Sequence, residues 1–595
     1  LPQELCLVNR NNAQLFSTYS QKENDLYDLM GYEGSAGLLW VRKQEVILLV
    51  DGRYIEQCRK KYGGDPMEKI VVEHRDNWME RLLKPWHQRY RGRGGGMVYL
   101  DESRWSSYDY DQLTSMCADV MWKDRQFVTR GFLGGEDLDR TAGAEVLLDD
   151  HRIFGDMNDS VTKGDGHHEE RLALLRSHMK KSELHIMTCP DDVAWLTGMR
   201  SMHFDYRRGV DAVILMTSME VMLFIDRSDE EMELLSGVFR GWKIVAQKNA
   251  WRQVIRALLK KMNATVCYPY HVRPGAMNAK GKNEMLAACH SESEDGHVVS
   301  LDKRFNTLKH SLCELGRLEK SPMEQECMAR SQKKLSDLMS ALISEVQDRM
   351  SKGRCIKETD VVNLSHQMAR EAGAIRPCFP AMAASGPHSM HPHHQPTSRI
   401  LKNGELLLLD IGYYFDESLY ATDMSRTILL GKDSRPLKEQ RRIYTMTLIG
   451  FLRQWGATFV AKQLKGFQLD SLARDYFEKH VGDEYGFIHS TGHGVGISDH
   501  ELGITIGPSS RLSMRPGYTY SIEPGLYRLK NSELQQYNFG VRIEDVVTVI
   551  IGENGVCEHR SLGPGSFDDR LVDESLMSED DLALLGKYRA EIPKE

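Results

Sequence analysis

Carboxylates inside runs that otherwise read as buried β-strand constrain this chain more than any other feature. Asp410 lies inside the apolar run 405–412, Glu523 ends Ser521-Ile-Glu523, and Glu544 interrupts the run from Val541 to Ile550. Asp423 and a histidine on a Gly-rich turn, His493, complete a set of five. Strands are rigid, and a site that needs close placement belongs on them. Four ionised carboxylates are too much negative charge to bury without cations, because each one left unpaired costs on the order of several kcal/mol. Two divalent ions neutralise the set. Oxygen-dominated ligands favour a hard ion such as Mn²⁺, with Zn²⁺ or Co²⁺ also possible. Two such ions roughly 3.5–4 Å apart can activate one water between them. The residues point to hydrolysis.

Composition narrows the setting. The chain has 595 residues, enough for three or four domains of ~150 each. Its formal net charge of −8 argues against a nucleic-acid surface. No apolar run approaches the ~18 residues of a membrane-spanning helix, so no membrane partner is expected. The eleven cysteines are scattered, with no Cys-x-x-Cys pair, which suits a reducing compartment. The segment Leu1–Glu23 lacks the apolar core of a secretory signal, so a cytoplasmic protein is expected, although the lack of an initiator Met leaves room for a preceding targeting segment.

Two segments look like relatives of each other, Glu45-Val-Ile-Leu-Leu-Val-Asp51 and Glu220-Val-Met-Leu-Phe-Ile-Asp226. Each follows another apolar run (36–41 and 212–217) across a short polar turn, as in a hairpin. The pattern predicts two similar α/β domains in tandem, 1–160 and 161–315. The stretch 155–170, rich in Gly, Asp, Asn and His, reads as the linker between them, followed by helical periodicity over 170–181. Ser321-Pro322 opens a long amphipathic helix running to about Met350, and places a third domain over 316–595. The basic run 89–93 reads as a solvated loop. Gly492-His-Gly-Val-Gly496 lacks the Lys-Ser/Thr of a phosphate loop, so nucleotide binding is not expected.

Five pieces in order carry a family resemblance: Leu409-Asp410-Ile-Gly412, Thr422-Asp423-Met-Ser-Arg426-Thr427, His489-Ser-Thr-Gly-His493-Gly-Val-Gly496, Ser521-Ile-Glu523-Pro-Gly525 and Val541-Arg-Ile-Glu544-Asp545. The chain resembles the pita-bread metallopeptidases: aminopeptidase P, prolidase and methionine aminopeptidase. The likeness reaches into the N-terminal half, at Gly31-Tyr-Glu-Gly-Ser-Ala-Gly37, Val50-Asp-Gly-Arg-Tyr54 and Asp191-Asp-Val-Ala-Trp-Leu-Thr-Gly-Met-Arg200, and into the tail at 578–588. Tandem N-terminal domains favour the three-domain Xaa-Pro aminopeptidases over prolidase. Between the two aspartates, Tyr413 to Ala421 is bulkier than the family's Gly-rich turn, and Ile411 stands where the family has Ser. These departures bear on substrate fit rather than on hydrolysis.

The resemblance implies tandem α/β N-terminal domains and an α+β pita-bread catalytic domain around a curved antiparallel sheet. It implies that Asp423 and Glu544 bridge two metals, that Asp410 completes one ion, and that His493 and Glu523 complete the other. Glu523 would also act as general base and later acid. His393, His489 and His500 match family histidines near the scissile bond; His393 is picked by the register Ser385-Gly-Pro387…His393-x-x-Pro396, with His391 or His394 as alternatives in the same loop. Arg542 would pair with the carboxylates or serve packing alone. The expected activity is removal of one residue from the N-terminus of short Xaa-Pro peptides by a homodimer. Alternatives are a prolidase limited to dipeptides and a catalytically silent peptide binder.

Overall fold

A computed structural model of the chain describes residues 167–201, 209–261 and 311–592 (apart from 416–419, 531 and 553), and the strands and helices named below within 4–124 and 265–308. The motif residues 31–36 and 51–54, the linker 155–166 and most of the basic run 89–93 lie outside the described residues.

Two described sheets have six strands each and follow one plan. The first runs Ile70–His74, Glu45–Val50, Gly37–Arg42, Glu4–Asn9, Met97–Leu100, Met121–Asp124. The second runs Lys243–Val245, Val221–Ile225, Ala212–Met216, Glu183–Met187, Thr265–Pro269, Phe305–Leu308. In both, the first three strands of the chain form an antiparallel meander, and the remaining pairings are parallel. The repeated segments supply the equivalent third strand of each. Ala212–Met216 and Val221–Ile225 are buried at every position, as continuous apolar strands covered on both faces must be. In the first sheet Trp40 meets Trp78 and Trp86 edge-on, with ring centroids 6.4 Å away in each case.

A separate compact unit contains Arg317–Glu595. Its entry helix, Pro322–Ser351, starts where the sequence says it should: Ser321 Oγ accepts from the Glu324 N–H, and Glu324 returns the bond to the Ser321 N–H at 2.9 Å. This helix and Glu358–Glu371 pack an apolar face, including Leu335, Leu342, Val361 and Val362, against residues of the antiparallel sheet Met382–Ser385, Leu406–Ile411, Met424–Leu429. A second antiparallel sheet, ordered Glu501–Ile506, Gly492–Gly494, Thr519–Ile522, Asp545–Ile551, Cys557–Ser561, shares a core with the helices Lys438–Trp455, Gly466–His480 and Glu579–Glu591.

One expected strand is broken. The run from Val541 to Ile550 divides into Gly540–Arg542, paired with Gly525–Arg528, and Asp545–Ile551, paired with Thr519–Ile522. Its partner divides opposite, at Glu523-Pro524, where proline has no N–H to give to a ladder. Freed from the ladder, the Glu523 N–H donates to the Thr491 carbonyl (2.7 Å) and the Glu544 N–H to the Ser425 carbonyl (3.1 Å). Both glutamates therefore sit where the chain changes sheets. Two glycines allow the close approach: a Cβ on Gly412 would lie 2.2 Å from the Thr422 carbonyl oxygen, and one on Gly492 1.9 Å from that of Ser521.

Candidate metal centre

Five separate segments bring the acidic residues and His493 together. Asp410 pairs in register with Ser425 across the sheet, so Asp410 and Asp423 enter from neighbouring strand ends. The Gln332 side chain fixes Asp423 from below, donating to its carbonyl at 2.6 Å and accepting from its N–H at 3.2 Å. One ligand atom each from Asp423, His493 and Glu544 lie within 4.8 Å of one another. His493 Nε2 is 3.6 Å from Asp423 Oδ2 and 3.4 Å from Glu523 Oε1.

Arg542 organises the carboxylates. Its Nη2 donates to Asp410 Oδ2 at 2.5 Å and its Nε to Ser425 Oγ at 2.9 Å, while Ser425 donates onward to Glu544 Oε2 at 2.6 Å. Its Nη1 donates to the Tyr527 hydroxyl and to the Pro392 carbonyl, both at 3.0 Å. His489 Nε2 lies 2.9 Å from the same Tyr527 oxygen. The His500 ring stacks on His493, centroids 3.7 Å apart, and its Nδ1 is 2.8 Å from the buried Asp499.

The histidine-rich loop separates into two groups. His388 and His394 converge on Glu358. His393 is half-buried and follows Pro392, whose carbonyl Arg542 holds. Sequence reasoning passed over Ser425, Tyr527, Gln332 and Asp499. Ser425 carried a signal, since it lies two residues from Asp423 and so on the same strand face; the others carried none.

Electrostatically the group is built for cations. Burial first, then repulsion from Glu544, Asp410 and Glu523, raises Asp423 well above the usual carboxylate range. Glu544 is pushed up to about 8 by burial and by Asp410. Burial also raises Asp410, against the pull of Arg542. His493 is pushed down to about 3 by burial and by His500, which leaves a neutral imidazole able to act as a ligand. Asp410 Oδ1 is buried and accepts no hydrogen bond. An unpartnered carboxylate oxygen beside three more acids fits divalent ions, which supply the missing positive charge.

Fold and site together define a metallopeptidase domain of the pita-bread type. Residues 326–550 match the model of metallopeptidase family M24. Over 95% of its length the chain is 23% identical to a Laccaria bicolor protein named probable Xaa-Pro aminopeptidase P, covering 83% of that relative. A Pyrococcus furiosus Xaa-Pro dipeptidase is 34% identical, but over only 33% of this chain and 52% of its own. Among solved structures, the X-prolyl aminopeptidase of Caenorhabditis elegans, described as a cytosolic enzyme with a dinuclear active site, superposes with a TM-score of 0.77 at 20% identity, covering 98% of this chain and 90% of that one. The architecture is accordingly two α/β units of equal topology followed by an α+β pita-bread catalytic domain.

Proposed function

We propose that the protein is a metalloaminopeptidase that removes the N-terminal residue from short peptides with proline second. The observation that carries this reading is the extent of the likeness: relatives named for Xaa-Pro aminopeptidase activity match nearly end to end, whereas the dipeptidase matches about a third of the chain. We divide the chain at 160 and 315, a reading supported by the equal topology of the two six-stranded sheets and by the contact boundary after Gly316.

Asp423 and Glu544 would be shared between two divalent ions, with Asp410 on one and His493 and Glu523 on the other. Such ions supply Lewis-acid polarisation and make water acidic enough to ionise near neutral pH. The remaining work falls to the chain's own side chains. Glu523 takes a proton and later returns it to the leaving amine. His489, His500 and His393 donate to the scissile carbonyl or substrate backbone. Tyr527 holds His489 in place, and Arg542 holds Asp410 and, through Ser425, Glu544.

An oxygen-rich donor set favours Mn²⁺, ahead of Zn²⁺ or Co²⁺. A cytoplasmic homodimer acting on short proline-containing peptides completes the proposal; the cytosolic nematode neighbour supports the location. No described helix is long and apolar enough to cross a membrane. The test is turnover of a fluorogenic Xaa-Pro-Pro peptide by metal-stripped protein, with Mn²⁺, Co²⁺ or Zn²⁺ added back. Metal-dependent release of the first residue alone is expected. Cleavage confined to Xaa-Pro dipeptides would transfer the assignment to prolidase, and failure to bind ions would leave a peptide-binding protein.

A further inference from the structure

Outside the metal centre, two imidazoles meet one buried carboxylate. Glu358, the first residue of the helix Glu358–Glu371, has a side chain with no solvent exposure. His388 Nδ1 lies 2.9 and 3.0 Å from its two oxygens, and His394 Nε2 lies 3.0 Å from Oε2. The two rings come within 4.3 Å of each other, centroid to centroid. We propose that Glu358, His388 and His394 form a third metal site, for an ion of the Zn²⁺ or Co²⁺ class, separate from the dinuclear centre.

The donor set is that of open zinc sites, two imidazoles and a carboxylate with the fourth position left to water. Imidazole nitrogen favours the later transition ions over Mg²⁺ or Ca²⁺. At bond lengths of about 2.0–2.1 Å a tetrahedral ion separates its ligand atoms by about 3.3 Å. The present contacts are only a few tenths of an ångström shorter, and His388 lies on a short turn, Gly386–Met390, that can give by that much. A neutral imidazole presents a nitrogen lone pair by moving its N–H to the other ring nitrogen.

The carboxylate is already oriented from behind. Ser385 N–H (2.7 Å) and Oγ (2.8 Å) donate to Oε1, and Thr397 N–H (3.1 Å) and Oγ (2.9 Å) donate to Oε2. Backbone donors of this kind hold a metal-ligating carboxylate in register, and a rotatable hydroxyl, that of Ser385 or Thr397, turns aside to free the lone pair that the ion takes. An approach exists on the histidine side, where the His388 side chain is 28% exposed and that of His394 10%. The segment between the two histidines contains Pro392, held by Arg542, and His393. An ion bound to both histidines pins each end of that segment beside the dinuclear centre.

The test counts ions on the full-length protein. Metal-stripped protein is loaded with Zn²⁺, passed through a desalting column and analysed for zinc. Three tightly held equivalents are expected for the wild type and two for His388→Ala/His394→Ala. Loading with Co²⁺ gives the same comparison as a visible-absorption difference between the two proteins. If circular dichroism shows that the double variant does not fold, His388→Ala alone carries the test, since it removes a partly exposed turn residue. Equal zinc content in wild type and variant would overturn the proposal and leave Glu358 as a hydrogen-bonded anchor for the loop.

Discussion

Replacing Arg542 by lysine keeps the charge and removes the geometry. The guanidinium makes four separate donations, to Asp410, Ser425, Tyr527 and Pro392. A lysine ammonium is a compact point charge and cannot span those acceptors. Asp410 keeps a cation nearby, but Ser425 loses the donor that fixes its hydroxyl toward Glu544. Removing an outer partner of a ligating carboxylate costs about 10–100-fold in metal affinity, or about 1.4–2.8 kcal/mol. A hydrogen bond to a charged group, at about 1.5–3 kcal/mol, gives the same scale independently. Arg542→Lys should therefore hold the ion bound by Asp410 about 10–100-fold more weakly. Competition against a chromophoric chelator reads this directly, and peptide turnover at limiting metal should fall in step, recovering in part at saturating metal. Unchanged affinity for both ions, with turnover lost, would refute the link from Arg542 to the ligands.

Three further outcomes can be checked. Asp423→Asn removes charge from the centre of the cluster and should lose bound metal and activity together; wild-type metal content in that variant would rule out a shared ligand. His489→Ala should keep its metal, since this histidine bonds Tyr527 and the Ser490 carbonyl rather than the cluster, and lose turnover by about 10²-fold or more; metal loss would mean that His489 supports the ligands directly. The metal-free protein should lose stability as pH rises from about 6.5 to about 8. Glu544, Asp410 and Asp423 are raised in the folded chain, so their protonated forms stabilise it at low pH and that contribution fades as pH climbs toward their folded values. His493, lowered in the folded chain, acts oppositely but only below about 6.5. A melting temperature of the metal-free protein that stays flat across this window would contradict the electrostatics.

What the sequence determined by itself was local or compositional. The start of the helix at Ser321-Pro322 is a capping signal written in four residues. The shared plan of the two six-stranded sheets showed as similar strand segments near 45 and 220, because a buried hairpin needs continuous apolar runs wherever it occurs. Acids inside such runs announced that something must neutralise them. Tertiary structure alone decided the rest. The run 541–550 has the composition of one strand, and only pairing with a partner interrupted at Pro524 splits it and leaves Glu544 at the change of sheet. Ser425 reaches Glu544 across 119 residues and Arg542 reaches Asp410 across 132, contacts set by register rather than by neighbours in sequence. The same holds for the histidines between 388 and 394. The register picks His393 but leaves His391 and His394 open, and the buried Glu358 draws His388 and His394 to itself because an ionised carboxylate in the interior must be paired.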